Sequence, residues 1–468
     1  MRHFLLSILL SISSLAVAQD STTVISLSEY LGYVKTFHPI VKQANLIINE
    51  SEAKLLKARG AFDPKLEVDY DRKKFKSTEY FDKLNAAFKI PTWYGVELKG
   101  NFEENDGLFL NPEGSLPDEG LYSVGVSVAV ARGLLINKRM AMLKQAKMFV
   151  KQAQFDRQLF VNNILYEATL TYFNWLRTYN EKRVYEDFLV NAKVRFEGIK
   201  RSYREGEMPA IDTIEARIAL NDRKLNLEKS RIKFIKASLE LSNYLWLNDN
   251  TPIEVKDNVI PNVDTFLSID ATLNTSPLDI ENLDIENHPK LQSLDYKLQS
   301  LNIDRRLMLN NLLPQIDLQY NFLSEIPDVA RSFSTSAYKS GLNISFPLFL
   351  RKERGDLRLA KLKMQDTKFE IQSTEVTLKN KIDAINQELQ SFVSQNEFTR
   401  VIVDDYGTML KAEERKFFLG ESSLFLVNSR ESKLIDAKLK AIELENNFFN
   451  TKAGLFNVLA ISDVDINP

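Results

Sequence analysis

Cysteine is absent from this 468-residue chain, which removes disulfides, thiolate metal sites and cysteine nucleophiles from consideration. Histidine is almost absent. His3 lies in the N-terminal leader, and His38 and His288 each stand directly before a proline, where a helix-start role fits better than catalysis or metal binding. Glycine is scarce, at 16 residues, which suits long helices. There is no phosphate-binding glycine loop, no nucleophile elbow and no His-Glu-x-x-His, so an enzyme reading has no site and no cofactor is implied. The net charge of −2, without a clustered basic patch, argues against a nucleic-acid partner. Past the leader, no uncharged apolar run approaches the roughly 18 residues that a spanning helix needs.

What is present is ordinary globular usage, 44% hydrophobic and 26% charged. Arg2 and His3 precede an apolar run, Phe4 to Leu15, and Ala16-Val17-Ala18 gives small residues at the cleavage-determining positions. Residues 1–18 read as a secretory signal peptide cut before Gln19. No Cys follows the cut to carry a lipid anchor. An exported chain of this kind can enter a membrane only with strands.

The chain repeats itself. HPIVKQANLIINESEAKLLKARGAFDPKLEVDY, from His38, aligns without a gap to HPKLQSLDYKLQSLNIDRRLMLNNLLPQIDLQY, from His288. Pro39 falls on Pro289, Pro64 on Pro314 and Tyr70 on Tyr320. Tyr122-Ser-Val-Gly125 parallels Tyr338-Lys-Ser-Gly341. Val161, Leu165, Ala168, Tyr172 and Trp175 then space as the seam of a coiled coil, as do Leu378, Ile382, Ile385, Leu389 and Phe392. Each long helix breaks at a Gly-Glu pair, Gly206-Glu207 and Gly420-Glu421, and a second helix returns. Leu225, Ile232, Ile235, Leu239 and Trp246 continue the seam in the first return helix.

Strands are expected at Leu66–Phe75, Leu84–Ile90, Tyr94–Phe102 and Tyr122–Val130, and again at Gln315–Leu323 and Tyr338–Phe346. Their apolar faces carry Leu66, Val68 and Tyr70, or Ile316, Leu318, Tyr320 and Phe322. Their polar faces carry Glu67, Asp69 and Asp71, Glu97 and Lys99, or Asp317 and Gln319. Soluble strands alternate too, but open edges cannot face lipid. Strands in a membrane must close into a barrel, shared between chains where one chain has too few.

The duplicated order, the Pro64/Tyr70 and Pro314/Tyr320 strand starts, SGLNISFPLF before a long helix and LGESSLFLVNSRE after it resemble the TolC family of outer-membrane efflux and secretion channels, over nearly the whole mature chain. The resemblance implies a mainly α fold with membrane β. A trimeric β-barrel in outer-membrane lipid would continue into a long α-helical coiled-coil tunnel in the periplasm. It implies a homotrimer acting as the passive exit duct of a tripartite efflux or type I secretion system. The partners would be a periplasmic adaptor (a membrane fusion protein) and an inner-membrane pump of RND or ABC type. The first repeat would take residues 19–247, with barrel strands in 65–131 and a helical hairpin over 136–247. A linker would take 248–287. The second repeat would take 288–468, with strands in 315–347 and a helical hairpin over 352–460. Gly206, Glu207, Gly420, Glu421 and Ser422 would then be adaptor-docking tips. Glu67, Asp69, Asp71, Glu97, Lys99, Asp317 and Gln319 would line the barrel lumen.

The sequence departs from the family pattern in two places. The first half inserts about forty residues at 77–119, so the barrel has twelve strands if the insert is a loop and eighteen if it joins the wall. At the periplasmic gate, the positions where some members carry acidic residues hold Leu426 and Ser429. Asp212 matches an acidic position and could pair with Arg430 of a neighbouring hairpin. The alternative function is a secreted coiled-coil structural or adhesion protein with no channel.

Overall fold

The computed structural model describes residues 23–275, 285–328 and 331–460. The expected signal peptide and Pro277 of the expected linker lie outside the described residues. The chain divides into two compact units, each of which takes segments from both sequence halves. One is Val161–Leu283 with the chain up to Lys42 and from Asn380 onward; the other is Gln43–Phe160 with Asp284–Lys379.

Local chemistry sets the helix starts. Ser26 caps α1 (Leu27–Phe37), its hydroxyl accepting from the Glu29 amide at 3.2 Å. His38 Nδ1 accepts from the Ile40 amide at 3.3 Å at the head of α2 (Pro39–Arg59). His288 Nδ1 does the same for the Lys290 amide at 3.1 Å at the head of α6 (Pro289–Asn310). In both, proline fills the first helical position, where its missing N–H costs nothing. The two surviving histidines are therefore caps.

In the second unit the strands are β2 (Lys65–Phe75), β3 (Thr78–Pro91), β4 (Val96–Asp106), β5 (Leu121–Ala129), β7 (Gln315–Ser324) and β8 (Tyr338–Ser345). They form one antiparallel sheet in the order β2-β3-β4-β5-β7-β8. The inserted segment thus supplies two paired strands within the sheet. The β2–β3 turn is Lys76-Ser77, both at positive φ (46° and 63°), the geometry that matches strand twist in a two-residue hairpin.

In the first unit a short parallel pair, β1 (Thr23–Ile25) with β6 (Val259–Pro261), sits with α5 (Thr265–Leu273). The Tyr172 hydroxyl ties this pair to the helices, donating to the Ile25 carbonyl at 2.9 Å and accepting from the Asn262 amide at 3.3 Å. The long helices are α3 (Lys138–Arg204), α4 (Ala210–Ser242), α7 (Arg351–Phe418) and α8 (Leu424–Leu459), of which α3 up to Phe160 and α7 up to Lys379 belong to the second unit. With 67 and 68 residues, α3 and α7 each run about 100 Å, far beyond a globular helix. On α3 the expected seam is the core: Val161, Leu165, Ala168, Tyr172 and Trp175 are all buried. On α7, Ile382, Ile385 and Leu389 are buried, with Leu378 and Phe392 at the margin.

The expected seam on α4 is not the face that the chain buries. Leu220, Phe234, Ala237 and Leu241 pack inward, Phe234 stacking on Trp175 at 6.2 Å. Leu225, Ile232, Ile235 and Leu239 stay exposed, and Trp246 is only half-buried. An α-helix with apolar residues on two faces has a second surface to cover.

Burial beside Tyr244 and Trp246 holds the His38 imidazole below its ordinary value of 6.5. Folding therefore favours the neutral ring, and protonation also removes the Nδ1 lone pair that caps α2. Stability is full above that value and falls as the pH drops through it toward the lowered folded value. Between pH 7.5 and 5.5, His38→Asn, which keeps a capping acceptor without a titrating ring, should lose less of its thermal midpoint than the parent. Equal losses in both proteins would refute this.

Candidate functional site

One register runs across the whole sheet. Leu66 pairs with Phe88, Phe88 with Gly100, Gly100 with Val124, Val124 with Phe322 and Phe322 with Tyr338. Side chains alternate along each strand, so one face collects Leu66, Val68, Leu84, Phe88, Leu98, Phe102, Val124, Val126, Leu318, Tyr320, Leu342 and Ile344. Strands β2 and β8, at the two edges, are exposed at every residue.

The opposite face carries all the residues expected in a lumen. Glu67, Asp69, Asp71, Glu97, Lys99, Asp317 and Gln319 share it by register. Lys89 donates to Glu67, Lys99 lies 3.6 Å from Glu97, and Arg139 lies 3.7 Å from the same carboxylate. At the foot of the sheet a recess of about 570 Å³ gathers Glu97, Asp317 and Gln319 with Arg132, Lys138 and Arg139. These cations were not anticipated. They follow the last strand of the first half in RGLLINKR, where a strand-to-helix connection would be expected to be ordinary solvated loop. Toward the other end the apolar parity turns polar: Tyr70 donates to Asp82 at 3.0 Å, and Arg72 reaches Glu79 at 2.8 Å.

In the first unit, the two long helices end in the same way. Gly206 at φ 83° and Gly420 at φ 80° occupy the left-handed position after each helix, which only glycine takes without strain. The Glu207 amide donates to the Ser202 carbonyl and the Glu421 amide to the Lys416 carbonyl, both at 2.9 Å. The Gly206 and Gly420 amides donate to Tyr203 and Phe417, both at 3.1 Å. These paired bonds satisfy carbonyls that a helix end otherwise leaves bare. Gly206, Glu207, Gly420 and Glu421 are exposed, and Ser422 is half-buried with its hydroxyl on Glu413. The ends pack together through Ile199, Ala216 and Leu424.

Of the gate candidates, Asp212 opens α4, where its charge suits the helix dipole. Arg430 lies 3.8 Å from Glu413 of its own chain, and Leu426 and Ser429 are exposed. Within one chain, Asp212 and Arg430 are not paired with each other.

Sequence reasoning missed a buried charged group in this unit. Glu431 is 1% exposed and lies 2.6 Å from Arg195 Nη2 on α3 and 3.2 Å from Arg223 Nε on α4. Arg195 also reaches Glu414 on α7 at 3.0 Å, and Arg223 donates to Ser432 at 3.0 Å. The Arg195 contact is close but poorly angled for a hydrogen bond, so it acts chiefly as charge on charge. One carboxylate thereby ties both helical hairpins together.

Removing one partner of a buried ion group leaves the others uncompensated, a loss of about 3–5 kcal/mol. Glu431→Ala should cost about that much in chemical unfolding, and Glu431→Gln, whose amide oxygen still accepts from arginine, clearly less. A Glu431→Ala protein within about 0.5 kcal/mol of the parent would show the knot to be inert.

Residues 282–460 match the family described as Outer membrane efflux protein. No curated protein matches the chain in sequence. Among solved structures, the Campylobacter jejuni CmeC outer membrane channel is 15% identical, with a TM-score of 0.65 over 93% of this chain and 85% of that one. The outer membrane protein VceC from Vibrio cholerae is 12% identical, with a TM-score of 0.65 over 93% of this chain and 96% of that one. The open state of the Neisseria gonorrhoeae MtrE outer membrane channel is 12% identical, with a TM-score of 0.65 over 96% of this chain and 93% of that one. Residues 282–460 thus carry the sequence of the outer membrane efflux protein family, and nearly the whole chain has the fold of the solved outer-membrane channels.

Proposed function

We propose that this protein is the outer-membrane exit duct of an efflux or secretion machine. Three copies close one barrel in the outer membrane and continue as a helical tunnel in the periplasm. The sheet carries this reading: it has one apolar face, one charged face and two bare edges. A soluble home would leave the apolar face wet, and hydrocarbon would leave the edge amides unpaired. Strand β2 ascends and β8 descends, so the β8 edge of one copy meets the β2 edge of the next in antiparallel fashion.

The helices support the same assembly. Ile211, Ile214, Ile218, Leu225, Ile232, Ile235 and Leu239 form a stripe at coiled-coil spacing on α4, 37–64% exposed in the single chain. A second copy of the chain is the occupant that fits, because it brings an equally long helix. The glycine-ended tips, with Gly206, Glu207, Gly420, Glu421 and Ser422, then present a surface to a periplasmic adaptor that couples to an RND or ABC pump. Transport is passive here: the lumen face sorts by charge and width, and the energy comes from the pump.

At the tips, Asp212 pairs with Arg430 of the neighbouring copy, in competition with that copy's own Glu413. Leu426 and Ser429 replace a ring of carboxylates. Exposed pairs are weak singly, so several must act together.

Ile232→Glu combined with Leu239→Glu should abolish the heat-labile trimer and deplete the protein from the outer-membrane fraction. A freely soluble parent monomer in the periplasm would instead favour a secreted coiled-coil protein. Asp212→Ala with Arg430→Ala should raise single-channel conductance in planar bilayers several-fold, whereas Glu413→Ala alone should not raise it. Unchanged conductance in the double variant would remove the ion-pair gate.

A further inference from the structure

We propose that the inserted hairpin β3–β4 is transmembrane wall, so that three copies close an eighteen-stranded barrel. The proposal rests on the channel reading above and fixes the width and the lining of its pore.

Four observations carry it. First, β3 and β4 lie inside the sheet, between β2 and β5, rather than beyond an edge. A peripheral loop would leave β2 paired with β5. Second, the hairpin obeys the amphiphilic parity of its neighbours on both sides. Phe88 and Ala86 face outward beside Leu66 and Val68, and Leu98 and Phe102 face outward beside Val126 and Tyr122. On the other face, Asn85, Lys89, Lys99 and Asn101 lie with Asp69, Ser123 and Asn321. A hairpin in water would have no reason to keep one face apolar at that height.

Third, the register slants uniformly through the insert. The perpendicular row that starts at Leu66, near the base of β2, ends at Tyr338, at the top of β8. With Lys65 and Ser345 level at the base, that is a climb of about six residues over about five strand steps. At ordinary spacings this gives a tilt of about 40°, inside the roughly 35–45° of membrane barrels. Fourth, the lengths suit a bilayer: β3 has 14 residues and β4 has 11, against the roughly 9–11 that a tilted strand needs.

Barrel diameter grows nearly linearly with strand number. At that tilt, twelve strands enclose on the order of 24 Å between backbones and eighteen on the order of 36 Å, a ratio of about 1.5. The insert also lines the added arc with charge: Lys83, Lys89, Lys99, Glu97 and Glu103 all lie on its polar face. The membrane section is therefore not the size filter, and discrimination between cargoes falls to the helical end.

The absence of cysteine makes the test clean. Single cysteines are placed in the full-length protein at Phe88 and Phe102 on the outward face, and at Asn85 and Asn101 on the inward face. Val126→Cys and Ser127→Cys on β5 give the scale for undisputed wall. Each trimer, checked by native electrophoresis and reconstituted in vesicles, is treated with a small water-soluble maleimide. The expected result is fast labelling at 85, 101 and 127 and at least tenfold slower labelling at 88, 102 and 126. Alternation on β5 with uniform labelling on β3 and β4 would overturn the proposal and leave the channel reading standing. Loss of alternation on β5 as well would overturn the channel reading itself. Electron cryo-microscopy of the trimer gives the count directly: eighteen strands uphold the proposal and twelve refute it.

Discussion

An amide that leaves water must find a partner. In a bilayer each unpaired N–H or C=O costs several kcal/mol, and no side-chain arrangement on a strand repairs a whole edge of them. Strands β2 and β8 each present such an edge, and both are exposed at every residue. The single chain is for that reason an incomplete object. The α4 stripe is incomplete for a different reason, since coiled-coil residues left wet forfeit their apolar transfer energy. Bare edges and a sticky stripe are also the features that drive nonspecific association. In the trimer proposed above, the folded state of one copy depends on the supply of others, and its stability is tied to copy number.

The charges fall into two physical classes. Those on the polar face of the sheet, such as Lys89 with Glu67 and Lys99 with Glu97, sit on a surface that water reaches. They tune local potential more than they hold structure. Glu431 is the opposite: dry, clamped by Arg195 and Arg223, and joined through Arg195 to Glu414 on another helix. The exposed glycine turns and the Asp212 and Arg430 side chains sit on helices that this knot holds in register.

Much of this was legible in the sequence, because the signals are local. Period-two alternation placed all six strands of the sheet, and glycine followed by glutamate located both helix ends. The α3 seam was legible because a stripe of that spacing is buried by any partner. The α4 stripe is legible as a seam but its partner is not, since spacing tells that a face wants cover and not which molecule covers it. The start of β3 was missed because Tyr80 and Phe81 are adjacent and break the alternation. Glu431 was missed because SRESK looks like a solvated helix face; its burial depends on arginines far away in sequence. Arg132 and Arg139 gain meaning only from Glu97 and Asp317, which lie on strands that folding brings beside them.

The hairpin β3–β4 descends and returns, so the chain enters β5 at the same end of the sheet at which it left β2. Loop topology elsewhere is untouched by that detour, and α3 starts where it would have started without it. Such a module can be gained or lost whole, altering circumference while leaving every downstream orientation intact. In the threefold barrel proposed above, gain or loss of that module changes the ring by six staves at once, a coarse dial for pore calibre.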